Sequence, residues 1–182
     1  MKKIILYIAA SLDQYIAEPD GGLEWLTGFQ NPEKTDYGYK ELLASVDIVI
    51  IGGRTYRELL NMDMIWPYPK KMTYVISRHN WPAKENVNFI TENIIETITE
   101  IRNMAEKDIL LAGGSELISM LLSADMIDKM YINYFPVILG KGIPLFLEQE
   151  EELMWELIQS KPYTNGILEV IYQRKHKHND KF

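Results

Sequence analysis

Four short stretches place anion-binding residue types where buried apolar runs end. SLDQYIA (11–17), GGRTY (52–56), ISR (76–78) and AGGSE (112–116) each follow a run rich in aliphatic residues. Arg54 and Arg78 supply guanidinium groups, and Thr55, Ser77 and Ser115 supply hydroxyls. The pairs Gly52-Gly53 and Gly113-Gly114 leave the backbone open to close approach. A helix that begins just after such a pair directs unsatisfied N–H groups at whatever lies above the strand, which favours an anion. Two glycine-led helix starts and two arginines suit a molecule with two or three phosphates, such as a dinucleotide. Taken alone, ILLAGGSELI (109–118) reads more readily as a tight turn with Ser115 as N-cap. The four junctions together favour the phosphate reading. Neither GxGxxG nor GxxxxGK(S/T) occurs, so the usual dinucleotide and P-loop fingerprints are absent.

The elements that would carry these residues follow from periodicity. Continuous apolar runs at Lys3–Ala10, Val46–Ile51, Met72–Ser77, Val87–Ile90 and Asp108–Ala112 read as strands covered on both faces. Helical spacing appears within 33–45, where Pro32 marks the first turn, and at Arg54–Leu60, Ile94–Ala105 and Ser115–Leu122. Lys129–Pro136 alternates, and Leu153–Ser160 and Ile167–Arg174 flank the turn signal Thr164-Asn165-Gly166. Strands alternating with helices predict a mainly parallel α/β sheet, with an antiparallel hairpin added at one edge. Residues 17–31 read as loop, as do residues 137–146, and the polar tail 175–182 is expected to fray.

Bulk properties narrow the class. The 182 residues suit a single domain spanning 1–182, and 47% hydrophobic content supplies a core. Nineteen basic against 26 acidic residues give a net charge of −7, a poor balance for gripping nucleic acid. With no cysteine, disulfides, thiolate metal sites and thiol nucleophiles are excluded. No metal site is expected, since His79, His176 and His178 form no ligand set. The opening MKKIILYIAASLDQYIA reaches Asp13 too soon for a leader, and no run approaches the roughly 18 apolar residues of a membrane span. A soluble cytoplasmic protein is expected.

IAASLDQYIA, VIIGGRTY, YVISR, ILLAGGSELI and FPVILGKGIPLF, in this order and spacing, resemble the dihydrofolate reductase-like superfamily, in particular its bacterial branch related to the riboflavin-biosynthesis reductase domain. The resemblance covers residues 2–174. It implies a three-layer α/β/α fold around a twisted, mainly parallel sheet with an antiparallel C-terminal strand. It also implies hydride transfer from NADPH to a C=N bond of a pterin or amino-pyrimidine. Carried over by motif, Ala9, Ala10 and Ile16 would line the nicotinamide, while Gly53, Arg54 and Thr55 would meet the pyrophosphate and adenosine side. Ser77 and Arg78 would hold the adenine ribose and its 2′-phosphate, and Gly113, Gly114, Ser115 and Glu116 would complete the phosphate cradle, with a cis bond between the two glycines.

On the substrate side Asp36 is the expected proton donor, followed by Glu33; Asp36 lies eleven residues after Trp25, an insertion relative to the folate enzymes. Trp25 and Leu26 read as a lid over a flat ring or as loop anchors, and Lys141, in Gly140-Lys141-Gly142, as a phosphate contact or an exposed turn lysine. Asp13 reads as an Asx-turn residue or a ligand. Tyr131, Tyr134 and Phe135 are candidates for a homodimer face, as the branch commonly pairs. The alternative to a reductase is a non-catalytic NADPH-binding protein that has lost its substrate half.

Overall fold

The computed structural model describes residues 1–61, 65–79, 81–82 and 84–175. In chain order the elements are β1 (Ile4–Ser11), β2 (Tyr15–Ala17), α1 (Glu24–Thr27), α2 (Tyr39–Ser45), β3 (Val46–Gly52), α3 (Gly53–Asn61), β4 (Met72–Ile76) and β5 (Val87–Ile90). Then come α4 (Ile94–Met104), β6 (Asp108–Leu111), α5 (Ser115–Ser123), β7 (Lys129–Phe135), β8 (Ile143–Pro144), β9 (Trp155–Pro162) and β10 (Leu168–Arg174). Eight strands form one sheet in the order β5-β4-β3-β6-β1-β7-β10-β9, and β2 and β8 form a separate two-stranded ladder. From β5 to β7 every neighbouring pair is parallel; β10 runs antiparallel to both β7 and β9.

The apolar runs are continuous because both faces of the parallel part are covered. Ile4, Leu6, Ile50, Ile109 and Leu111 face one layer, where Ile98 and Ile101 of α4 and Leu117, Ile118 and Leu121 of α5 close over them. Ile5, Val49, Ile51 and Leu110 face the other, against Leu42 of α2 and Tyr56 of α3. Successive residues of one strand thus serve opposite cores, as a period of two requires. The three layers and mainly parallel sheet are those expected.

The helix within 33–45 begins only at Tyr39. Upstream, Lys34 and Tyr37 have φ of 50° and 51°, and Asn31 both accepts from the Thr35 amide and donates to the Thr35 carbonyl. These local hydrogen bonds compete with helix and win. Two expected loops also carry short elements, α1 in one and β8 in the other, and β2 forms just ahead of the first. Of the tail, Lys175 continues the sheet by donating its amide to Met154 O at 3.0 Å; the remainder, with His176 and His178, lies outside the described residues. Of the three residues expected on a pairing face, Phe135 is 4% exposed and interior, while Tyr131 and Tyr134 are half-buried and pack against opposite core layers. The exposed apolar side chains Met154, Leu157 and Ile158 instead flank or lie on the edge strand β9.

One polar knot fastens the start of β1. Asp128 receives Arg102 at 2.7 and 2.9 Å and the Ile4 amide at 2.7 Å, while Arg102 Nε donates to Lys2 O at 2.6 Å. Both side chains are largely buried, with 11% and 18% exposure. Asp128→Ala strands the guanidinium and an amide, and should lower stability by about 2–3 kcal/mol in urea denaturation. Asp128→Asn, which keeps an acceptor for Ile4, should lose less.

Candidate active-site cleft

β3 and β6 are adjacent and parallel, yet their connections leave in opposite directions. β3 runs into α3, which packs in the layer of Tyr56, and β6 into α5, in the layer of Leu117. A crevice must open between diverging connections beyond the carboxyl ends of such strands. The two glycine pairs stand at this point. The Gly52 amide donates to Gly113 O at 3.2 Å, and a Cβ on Gly52 would lie 3.5 Å from that oxygen and 3.9 Å from Gly114 Cα. Gly113 and Gly114 have φ of 112° and 100°, backbone open only to glycine, and a Cβ on Gly113 would press Ile8 Cδ1 at 3.0 Å. Their peptide bond is trans, correcting the cis expectation; the two positive φ angles make the turn instead.

Above this point lies a cleft of about 1120 Å³. The structure brings Ala9, Ile16, Gly53, Arg54 and Thr55 to its wall, together with Ser77, Arg78, Gly113, Gly114, Ser115 and Glu116. Helices α3 and α5 both start here, so their first N–H groups face the cleft mouth. Among the described residues neither Arg54 nor Arg78 has an ion-pair partner. Ser77 Oγ accepts the His79 amide at 3.0 Å and keeps its proton for a ligand. Glu116 stands in the first turn of α5, where a carboxylate competes with an anionic ligand for the same amides.

Several expected roles are corrected. Ala10 is fully buried in the layer of α5, one residue out of phase with the cleft. Ser115 does not cap its helix; Gly114 holds the N-cap position and the Ser115 hydroxyl donates to Pro144 O, fastening β8. Asp36 does not line the cleft. Its carboxylate accepts the Lys40 amide at 3.0 Å, and that bond holds it below the usual carboxylate range, the wrong direction for an acid. Glu33 accepts from Thr164 on the surface. Trp25 packs edge-on against Phe135 at 5.5 Å, as an anchor, while Leu26 lines the cleft. Lys141 is exposed and outside the cleft. The Gly140 amide of its loop is already taken: Asp13 accepts from it at 2.7 Å, from the preceding Leu139 amide at 3.1 Å and from the Ser11 hydroxyl at 2.7 Å. The Ser11 hydroxyl and these amides hold the Asp13 carboxyl below its ordinary value. Asp13 is therefore a clamp between two loops.

The other half of the cleft rests on residues the sequence reading passed over. Tyr7 of β1 and Asn133 and Phe135 of β7 form its floor, with Phe29, Tyr37 and Tyr39 beside them. Tyr7 Oη donates to Tyr37 O at 3.0 Å, and burial raises its pKa well beyond the tyrosine range, with Glu169 adding to the effect. Asn133 is 2% exposed and its Oδ1 has no hydrogen-bond partner. Directly opposite Asn133 in the β10–β7 register stands Glu169, 5% exposed, which accepts from Tyr163 Oη at 3.4 Å. Burial lifts the Glu169 carboxyl above its usual value, against the pull of Lys161 and the Tyr163 hydroxyl; burial and Glu169 in turn push Tyr163 up to about 12. One signal in the sequence points to both residues: a lone polar side chain inside an otherwise apolar strand pattern, INYF and LEVI.

Residues 2–168 match the family described as the RibD C-terminal domain. The chain belongs to this family. YwjB of Bacillus subtilis is 35% identical over 167 residues, spanning 91% of this chain and 95% of that protein. A Shewanella sp. PV-4 protein whose crystal structure is named for riboflavin biosynthesis superposes with a TM-score of 0.86 at 32% identity, over 96% of this chain and 99% of that one. Dihydrofolate reductase from Enterococcus faecalis, complexed with NADP(H), superposes with a TM-score of 0.70 at 18% identity, over 96% and 97% of the two chains. The fold is thus dihydrofolate reductase-like.

The raised pKa of Glu169 has a consequence for stability. In the unfolded chain the group titrates near its ordinary 4.5, and in the fold above it, so its contribution is fully present below pH 4.5 and declines as pH rises through the folded value. Glu169→Gln removes that decline. Thermal melts from pH 4 to 8 should show the variant gaining on the native protein as pH rises; a constant difference would mean that Glu169 titrates like an exposed glutamate.

Proposed function

We propose that this protein is an NADPH-dependent reductase acting on a C=N bond of a pterin or amino-pyrimidine-type ring. The observation that carries the reading is a single cleft with two unlike halves. At the strand ends stand Arg54 and Arg78, without an ion-pair partner among the described residues, and two helix N-termini; over β1 and β7 the walls are aromatic and apolar. The residues fit the nucleotide. Arg54, Thr55 and the amides that open α3 and α5 would hold the pyrophosphate, and Ser77 with Arg78 the ribose and its 2′-phosphate. Ala9 and Ile16 would border the nicotinamide ring. When bound, the nucleotide supplies the hydride. The chain's own part is to orient the two rings and exclude water between them, for which the aromatic walls and Leu26 are suited. Asp13 occupies the Leu139 and Gly140 amides and Lys141 lies outside the cleft, so the proposal extends to the ring and not to a ribose phosphate on it.

A second reading, a non-catalytic NADPH-binding protein, has one observation in its favour. The carboxylates that line the cleft, Glu58 and Glu116, belong to α3 and α5, and none comes from β1, β7 or the segment carrying Asp36. Consumption of NADPH with any pteridine or amino-pyrimidine separates the two readings.

Fluorescence titration of the tryptophans should show NADPH binding more tightly than NADH. Arg78→Ala should weaken NADPH about 10–100-fold while leaving NADH unchanged. Equal native affinity for both nucleotides would remove Ser77 and Arg78 from the 2′-phosphate. We further propose a homodimer formed through the β9 edge, whose Leu157 and Ile158 are half exposed. Light scattering should return twice the chain mass, and Ile158→Lys should return the chain mass alone.

A further inference from the structure

The floor of the substrate half contains a polar group with nothing to bind. Asn133 is 2% exposed, lines the cleft, and its Oδ1 meets no donor. A buried amide oxygen without a partner is expensive, and one on a residue that lines a cleft is placed for a ligand to complete. Around it the groups able to carry charge are few. Tyr7 from β1 is hydrogen-bonded to the Asn133 side chain, which leaves only the amide oxygen without a partner, and the Tyr7 hydroxyl donates to the carbonyl of Tyr37 at 3.0 Å, with that of Asp36 at 3.4 Å. Glu169 from β10 stands across the strand pair, does not line the cleft, and is turned to Tyr163. Lys161 lies over the Tyr163 ring at 4.8 Å, and Asp36 is bound to the Lys40 amide outside the cleft. The walls beside Asn133 are flat and apolar: Phe135 meets Phe29 at 5.0 Å and Tyr37 at 6.2 Å between ring centres.

We propose that Asn133 reads the edge of the substrate ring as an amide, and that the ring is therefore bound uncharged, through a neighbouring N–H donor and acceptor. The proposal rests on the reductase reading of the same cleft and deepens it. A carboxylate on this floor would recruit a protonated, basic ring by charge. An amide cannot; it pairs in two-point fashion with a lactam or a neutral amino-imine edge, and desolvation on a floor of Tyr7 and Phe135 penalises the cation. The substrate class is thus a planar, neutral lactam or amino-heterocycle.

The test uses pterin and 2,4-diaminopteridine, which differ only in a carbonyl or an amino group at C4. The diamino ring is titrated into the full-length protein at a pH about one unit below the ring's own pKa, where the free ring is mostly cationic. Its ultraviolet difference spectrum reports the protonation state in the complex. We expect the bound ring to show the neutral spectrum, with affinity falling as pH is lowered, and pterin to bind with no spectral change in protonation. In Asn133→Asp the bound diamino ring should show the cation spectrum and bind about tenfold or more tighter relative to pterin. Asn133→Thr, which fits a strand and keeps a small polar group, should weaken both rings about tenfold, with circular dichroism and melting confirming the fold. A cation spectrum in the native complex, an unaltered spectrum in Asn133→Asp, full affinity in Asn133→Thr, or no binding of either ring at millimolar concentration would overturn the assignment. A separate NADPH titration distinguishes the two failures: a protein that binds the neutral ring but no nucleotide refutes the reductase reading and leaves Asn133 in place.

Discussion

The structure turns on the contact between two backbones at the ends of β3 and β6. Gly52 and Gly113 share a hydrogen bond at 3.2 Å, and beyond them the chain must leave toward opposite faces of the sheet. A side chain on Gly113 would press Ile8 and strain a backbone at φ of 112°, and one on Gly53 would collide with Ser77, whereas one on Gly52 would make only ordinary contact with the Gly113-Gly114 backbone. With glycine, the strands remain paired to their last residue and both following helices start at the same place. The cleft, the two sets of free N–H groups and the positions of Arg54 and Thr55 are consequences of that one approach. Gly113-Gly114 therefore serves both readings: it is a tight turn, and the tightness of the turn opens the seat.

How far this was legible depends on where a residue's partners are. β1, β3, β5 and β6 were readable because an unbroken aliphatic run has few alternatives, and each boundary fell within a residue or two. The switch point was readable because glycine pairs followed two such runs. What the pattern could not contain is whether a polar group is already satisfied. Ser115, Asp13 and Asp36 have the residue types of ligand-binding groups, yet Pro144, the 139–140 amides and the Lys40 amide occupy them. The first two partners lie 29 and 127 residues away, where only the fold determines that they meet; the third is four residues on, a local bond at the start of α2. The late start of α2 has the same origin, since the Asn31–Thr35 hydrogen bonds replace the turn that helical spacing implied.

Asn133 and Glu169 were missed for the converse reason. Each interrupts an apolar strand, which by itself says only that a polar side chain must find a partner. Glu169 finds Tyr163, at the cost of a raised carboxyl pKa; Asn133 finds none for its oxygen within the protein. Their cross-strand pairing puts the satisfied group behind and the unsatisfied one at the cleft. Polar residues that break a strand pattern are thus a better guide to the substrate side than the helix-borne acid suggested by resemblance.

The division of labour between the halves of the cleft follows from electrostatics. A nucleotide with several negative charges is recognised by charge and by backbone donors, which tolerate solvent and need little burial; Arg54 and Arg78, which are proposed to hold it, are exposed. A planar ring is recognised by stacking area and by a few buried hydrogen bonds, where each unsatisfied atom counts. Moving a cation from water onto such a floor would require a compensating carboxylate within the cleft, and β1 and β7 provide none. In the proposed reading the same arrangement constrains the ring: the carboxylate nearest the floor, Glu169, is held behind Asn133 against Tyr163 with its pKa raised, so hydrogen-bond complementarity rather than an ion pair within the cleft selects the substrate, and the neutral form is the one proposed to bind.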